Sequence, residues 1–138
     1  MQYELHKAAH SVYLIHLHLY LTTKYRRKII NQAIAGRITE VTTGICEKHK
    51  CAILAEGAEP DHIHFLIDLH PDNNISQLIK SIKSVTSKAI RQEFPKRFTD
   101  FYRNKRALWG RQKFVVSVGG APLEIVKQYI ENQDEPVD

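Results

Sequence analysis

Apolar and polar residues alternate along residues 11–22, with Ile15, Leu17, Leu19 and Leu21 on one side and His16, His18, Tyr20 and Thr22 on the other. A period of two is the mark of a half-buried strand. After the basic knot Lys24-Tyr25-Arg26-Arg27-Lys28 the period changes: Ile30, Ile34, Ile38, Val41 and Ile45 recur at helical spacing and predict an amphipathic helix over residues 29–49. Residues 51–55 read as a short apolar strand, residues 56–61 carry turn chemistry, and residues 62–69 read as the returning strand of a hairpin. Asn74 is a good N-cap with Gln77 in capping-box register, and the helix it opens runs to about residue 94, before Pro95. Ile75, Leu78, Ile79, Ile82, Val85, Ala89 and Ile90 form its apolar stripe, and Lys80, Lys83, Ser84, Ser87, Lys88 and Arg91 occupy another side. Residues 95–111 read as irregular and rich in Lys, Arg and aromatics, residues 114–118 as a last strand, and Gly119-Gly120 as its break. Pro122 then opens a terminal helix over residues 122 to about 134.

The succession strand, helix, strand, strand, helix, strand is the split βαβ order of a ferredoxin-like α+β sandwich. It predicts an antiparallel sheet with helices on one face, the first and third strands central, and one extra C-terminal helix. Along residues 62–69 the apolar set Ile63, Phe65, Ile67 and Leu69 should meet the helices. That parity sends His62, His64, Leu66 and Asp68 to the opposite face, which no internal helix covers and across which the terminal helix is expected to lie.

A chain of 138 residues with 43% hydrophobic content can build one core without disulfide or metal staples, so residues 1–138 are expected to form a single domain. Twenty Lys and Arg against fifteen Asp and Glu give a formal charge of +5 and a pI near 9.2, which favours a polyanionic partner. No apolar run approaches the roughly 20 residues of a membrane helix, and the first ten residues lack a signal-peptide h-region, which points to the cytoplasm. Cys46 and Cys51 make no metal-type pair and read as reduced thiols.

Two imidazoles one residue apart on a strand, His62 and His64, point to the same side and suit one metal ion. His16 and His18 form a rival pair on the same face of the neighbouring strand, and spacing does not choose between them. In the terminal helix Tyr129 and Gln133 stand one turn apart on one side. A basic stripe of Lys80, Lys83, Lys88 and Arg91 is joined by a tract in which Phe98, Phe101, Tyr102 and Trp109 interleave with Lys96, Arg97, Arg103, Lys105, Arg106 and Arg111. Cations between aromatics suit phosphate contact and base stacking.

In combination these features resemble the single-tyrosine HUH transposases, the small TnpA-type enzymes of insertion sequences that move as single-stranded DNA. The resemblance rests on HLYLTTKYRRKI, PDHIHFLI, NISQLIKSIKSVTSKAIRQEFP, LWGRQKFVVSVGG and IVKQYIENQ, in that order along nearly the whole chain. It implies that His62 and His64 are the HUH pair, Tyr129 the nucleophile and Gln133 the third ligand of a divalent metal, Mg²⁺ or Mn²⁺. It further implies a covalent 5′-phosphotyrosine intermediate, single-stranded DNA hairpins as substrate and a homodimer in which the tyrosine can act in trans; the basic stripe and tract fit that substrate, with Lys80, Lys83, Lys88, Arg91, Arg103, Arg106, Arg111 and Trp109 expected to contact the DNA. Lys113 and the histidine-rich HLHLYL depart from the usual pattern of such sequences. A non-enzymatic RNA-binding module with Tyr20 and the histidines on an open sheet face is the alternative from another class.

Overall fold

The computed structural model describes residues 5–7 and 12–117. The expected terminal helix with Tyr129 and Gln133, and the Gly119-Gly120 break, lie outside them. The described elements are β1 (His6–Lys7), β2 (Val12–Tyr13), β3 (His16–Thr23), a 3-10 turn (Lys24–Arg26), α1 (Gln32–Lys48), β4 (Ala52–Glu59), β5 (His62–Asp68), α2 (Ile75–Glu93), α3 (Pro95–Tyr102) and β6 (Trp109–Ser117). β1 and β2 pair as a small ribbon, and the main sheet has the order β4-β5-β3-β6 with every neighbour antiparallel. Central β3 and β5 are the first and third strands of the motif, so this is the ferredoxin-like arrangement.

Both long helices start where side chains replace missing backbone partners. Asn31 Oδ1 accepts from the Ile34 N–H at 2.9 Å and Asn74 Oδ1 from the Gln77 N–H at 3.0 Å. Ile34 and Ile38 of α1 and Leu78, Ile79, Ile82 and Ile90 of α2 share one core with Leu19, Leu21, Ile63, Phe65 and Ile67 of the sheet. This single cluster fixes the register: sliding β5 by one residue would exchange Phe65 for His64 in the core.

Several boundaries differ from the pattern-based expectation. The first long strand begins at His16 rather than residue 11, because residues 12–13 belong to the separate β1–β2 ribbon. α1 opens at Gln32 rather than 29, after an extended stretch in which the Ile30 N–H donates to the Pro60 carbonyl at 3.0 Å. β4 runs to Glu59, leaving Pro60-Asp61 as the hairpin turn, because pairing with β5 continues to Glu59↔His62 despite poor strand formers. The tract 95–111 is not irregular throughout. Pro95 sits at the start of α3, Phe98 and Tyr102 bury one turn apart, and β6 already begins at Trp109 rather than residue 114.

Candidate functional site

The imidazole pair is set by β5. His62 pairs with Thr22 and His64 with Tyr20 across β3, while Gly57 of β4 pairs with His64 on the other flank. A Cβ on Gly57 would fall 2.3 Å from His64 Nε2 and 2.8 Å from its Cε1, so the His64 ring lies directly over a position only glycine leaves open. The ring is stacked on Tyr20, with centroids 5.1 Å apart, and its Nδ1 is 3.1 Å from His18 Nε2. His62 has a different support, Asp61 Oδ1 at 2.9 Å from its Nδ1. Each ring therefore has its Nδ1 engaged by a neighbour, and coordination by either would use Nε2. A hydrogen-bonded Nδ1 that fixes the ring and its tautomer is the usual support of a metal-binding histidine.

The rival pair is split between two jobs. His18 is buried against Tyr20 and His64, whereas His16 turns to Asp68, with Nε2 3.6 Å from Oδ1, and His6 approaches Oδ2 of the same carboxylate at 2.5 Å. The imidazole face is not an open platform: His18 and Tyr20 are each 2% exposed, and Tyr20 packs with Phe114 and Val116 in a second small cluster. A buried Tyr20 offers no surface for base stacking, which removes the main support for the RNA-binding alternative.

Donor chemistry at the pair suits a divalent ion. Among the described residues no group of three His, Cys, Asp or Glu is arranged to hold an ion. The expected third ligand, Gln133, and the expected nucleophile, Tyr129, lie outside the described residues.

The basic residues separate into two surfaces. Lys80, Lys83, Lys88 and Arg91 of α2 line a cleft of about 660 Å³ together with Arg106, Trp109 and Lys113. Part of this stripe is committed to holding the cleft in shape: Lys83 Nζ donates to the Gly110 carbonyl at 2.7 Å and Arg91 to the Arg106 carbonyl at 3.0 Å. Arg103 is elsewhere, in a second basic hollow with Arg26, Arg27, Lys28 and Lys105. There the Lys105 ammonium, 2.6 Å from the Tyr25 hydroxyl, holds that phenol below its ordinary pKa. Arg111 lies on β6. The aromatics of the tract are mostly core: Phe98 and Tyr102 are 1% exposed and Trp109 4%, with the Trp109 indole donating to Thr86 Oγ1 at 2.8 Å. Trp109 lines the cleft with little of its surface exposed, so burial leaves Phe98, Tyr102 and Trp109 little face for the base stacking expected of this tract. The sequence pattern passed over Gly57, Asp61 and Arg26 as site residues. The Asp-His-x-His run and the glycine opposite the hairpin turn were the available signals.

The family model described as IS200-like transposase matches residues 11–133. The ISDra2 transposase TnpA of Deinococcus radiodurans is 21% identical over 132 residues, covering 96% of this chain and 93% of its own. The transposase for insertion sequence element IS200 of Salmonella typhimurium is 28% identical over 128 residues, covering 92% and 82%. Among solved structures, a candidate transposase from Deinococcus radiodurans R1 superposes with a TM-score of 0.80 at 25% identity, covering 94% of this chain and 98% of that one. A REP-associated tyrosine transposase bound to a REP hairpin gives a TM-score of 0.53 at 12% identity, covering 91% and 69%, a likeness of fold.

Proposed function

This chain belongs to the IS200-like transposase family, and we propose that it nicks and rejoins single-stranded DNA at hairpins through a covalent 5′-phosphotyrosine, with Tyr129 as nucleophile. The observation that carries the reading is the pair His62 and His64 on one strand face, each ring held through Nδ1. His62 and His64, with Gln133, would hold Mg²⁺ or Mn²⁺. When bound, such an ion offsets the charge that grows on the scissile phosphate. Neutral ligands leave the ion its full charge, and imidazole nitrogens favour Mn²⁺ over Mg²⁺.

The reaction is a transesterification. The Tyr129 phenol loses its proton, its oxygen forms a bond to the phosphorus, and the bond to the 3′ oxygen breaks, leaving a 3′ hydroxyl after protonation. A phenol of reference pKa about 10 ionises more readily than an alcohol and leaves more readily when a new 3′ hydroxyl attacks. The number of phosphodiester bonds is conserved, so rejoining needs no nucleotide cofactor. Lys80, Lys88 and Arg106 in the α2 cleft supply phosphate contacts for the hairpin. Two DNA ends require two copies of a one-tyrosine domain, which supports a homodimer with the tyrosine acting in cis or in trans. A DNA substrate supports the expectation of a cytoplasmic enzyme.

Labelled single-stranded hairpin DNA carrying the element end, incubated with the protein and Mn²⁺, should give a denaturation-resistant protein–DNA adduct. Tyr129→Phe and metal chelation should each abolish the adduct and leave hairpin binding in place. An adduct that persists in EDTA would refute the metal-dependent reading.

A further inference from the structure

Tyr25 and Arg26 adopt left-handed backbone angles, φ 58° and 52°, although neither is glycine or asparagine. Consecutive residues in that region persist only where the surroundings over-determine them. Here the surroundings are specific. Thr23, fully buried, donates through its N–H to the Asp61 carbonyl at 2.9 Å and through Oγ1 to the Arg27 carbonyl at 2.7 Å, while the Lys24 carbonyl accepts from the Tyr102 hydroxyl at 2.8 Å. The turn is thereby pinned to the Pro60-Asp61 hairpin turn and to α3. One of its outcomes is the Arg26 guanidinium 3.2 Å from Asp61 Oδ2, while Asp61 Oδ1 takes His62 Nδ1 at 2.9 Å.

We propose that Arg26 is a positioning residue that acts through Asp61 on His62, holding the carboxylate so that the ring carries its proton on Nδ1 and presents the Nε2 lone pair. With Oδ2 engaged by the guanidinium, the carboxylate is held from rotating away from the ring. The effect on the ring is a reversal of habit: in water the neutral imidazole favours the proton on Nε2, where it would block a metal. Both side chains are largely shielded from solvent, 22% exposed for Arg26 and 21% for Asp61, so the pair is held in one geometry rather than sampling many. The inference rests on the reading of His62 as a metal ligand, but its first readout needs no metal.

Long-range ¹⁵N–¹H spectra of the metal-free full chain report which His62 nitrogen bears the proton, and Mn²⁺ titration reports affinity. Wild type should show Nδ1–H. Asp61→Ala should move the ring toward Nε2–H and weaken Mn²⁺ binding roughly 10- to 100-fold. Arg26→Ala should shift both readouts the same way by a smaller factor, and Arg26→Lys should restore part of the loss. Arg26→Gln, which keeps the aliphatic stem, replaces the alanine variant if the turn loosens. An unchanged tautomer and affinity in a folded Arg26 variant would overturn the inference. Should wild type bind no Mn²⁺, the metal reading falls, and the tautomer series still decides whether Arg26 positions the ring.

Discussion

At the scale of single residues, Gly57 makes the sharpest demand, because any Cβ there lands on the His64 ring rather than on a side chain with room to swing. Its φ is not positive, so alanine fits the backbone and the damage is local. Gly57→Ala should leave the fold intact, displace His64, and lower Mn²⁺ affinity roughly 10- to 100-fold in a titration followed by electron paramagnetic resonance. Unchanged affinity would mean that the ring is not held where β4 places it. Cys46 gives a second test. Burial pushes its thiol up to about 12, so it should react slowly with thiol reagents at neutral pH and quickly after denaturation. A raised thiol value also fixes the sign of its linkage. The contribution is fully present below the ordinary thiol value of about 9 and is lost as pH rises from there to about 12, so denaturation midpoints should fall across that window and Cys46→Ala should flatten part of the fall. The paired histidines were legible in the sequence because strand parity gives the side they face. Gly57 and Asp61 were not, since a β4 strand that runs through Glu56-Gly57-Ala58-Glu59 looks like a turn until its partner is known.

Among the elements, α2 is joined to β6 and the residues leading into it by a polar seam that runs from the buried core at Thr86 toward the surface at Ser87. Thr86 Oγ1 donates to the Ile82 carbonyl at 2.6 Å and accepts the Trp109 indole N–H at 2.8 Å, while Ser87 Oγ donates to the Arg106 carbonyl and accepts the Leu108 N–H, both at 3.0 Å. Thr86→Val removes the acceptor and leaves a buried indole N–H unpaired, at a cost of about 1–3 kcal/mol in urea denaturation. A loss below about 0.5 kcal/mol would show that the seam is incidental. Losing the seam should also loosen the cleft, because the backbone of residues 106–110 forms its far wall. The amphipathic periods of α1 and α2 and the caps at Asn31 and Asn74 were visible in the sequence. α3 was hidden: eight residues are too few to establish a period, and its two buried aromatics, Phe98 and Tyr102, stand among Lys and Arg that suggested a nucleic-acid tract.

Across the whole molecule, cross-strand partners divide the sheet into two working faces. Lys113 pairs with Leu21 and shares the helix side, where the α2 cleft opens, whereas Phe114 and Tyr20 share the opposite side with His64. β6 is an edge strand, so within one subunit a nucleic acid seated in the cleft can reach the imidazoles by passing round that edge. Cleft and imidazole pair should therefore separate genetically. Lys80→Ala combined with Lys88→Ala should weaken hairpin binding and reduce the slope of log affinity against log salt by about 0.7–0.9 per lost phosphate contact, with Mn²⁺ affinity unchanged. A salt slope equal to that of wild type would place the DNA elsewhere. The order of elements revealed the ferredoxin-like sheet before any coordinates, because strand succession and handedness leave few alternatives. Cover for the imidazole face was expected only from the terminal helix, which lies outside the described residues. Parity assigns a side chain to a side and says nothing of what packs there, as Tyr20 at 2% exposure illustrates.

The most direct measurement is mass spectrometry of the peptide that carries nucleotide after protease and nuclease digestion of the Mn²⁺-dependent adduct. The chain has six tyrosines, and Tyr25, partly exposed with its phenol held below the ordinary value by Lys105, is a credible competitor. The account predicts a phosphonucleotide on Tyr129 alone, and its loss when His62 or His64 is replaced by alanine. Nucleotide on Tyr25, or on Tyr129 in a His62→Ala, His64→Ala double variant, would contradict it.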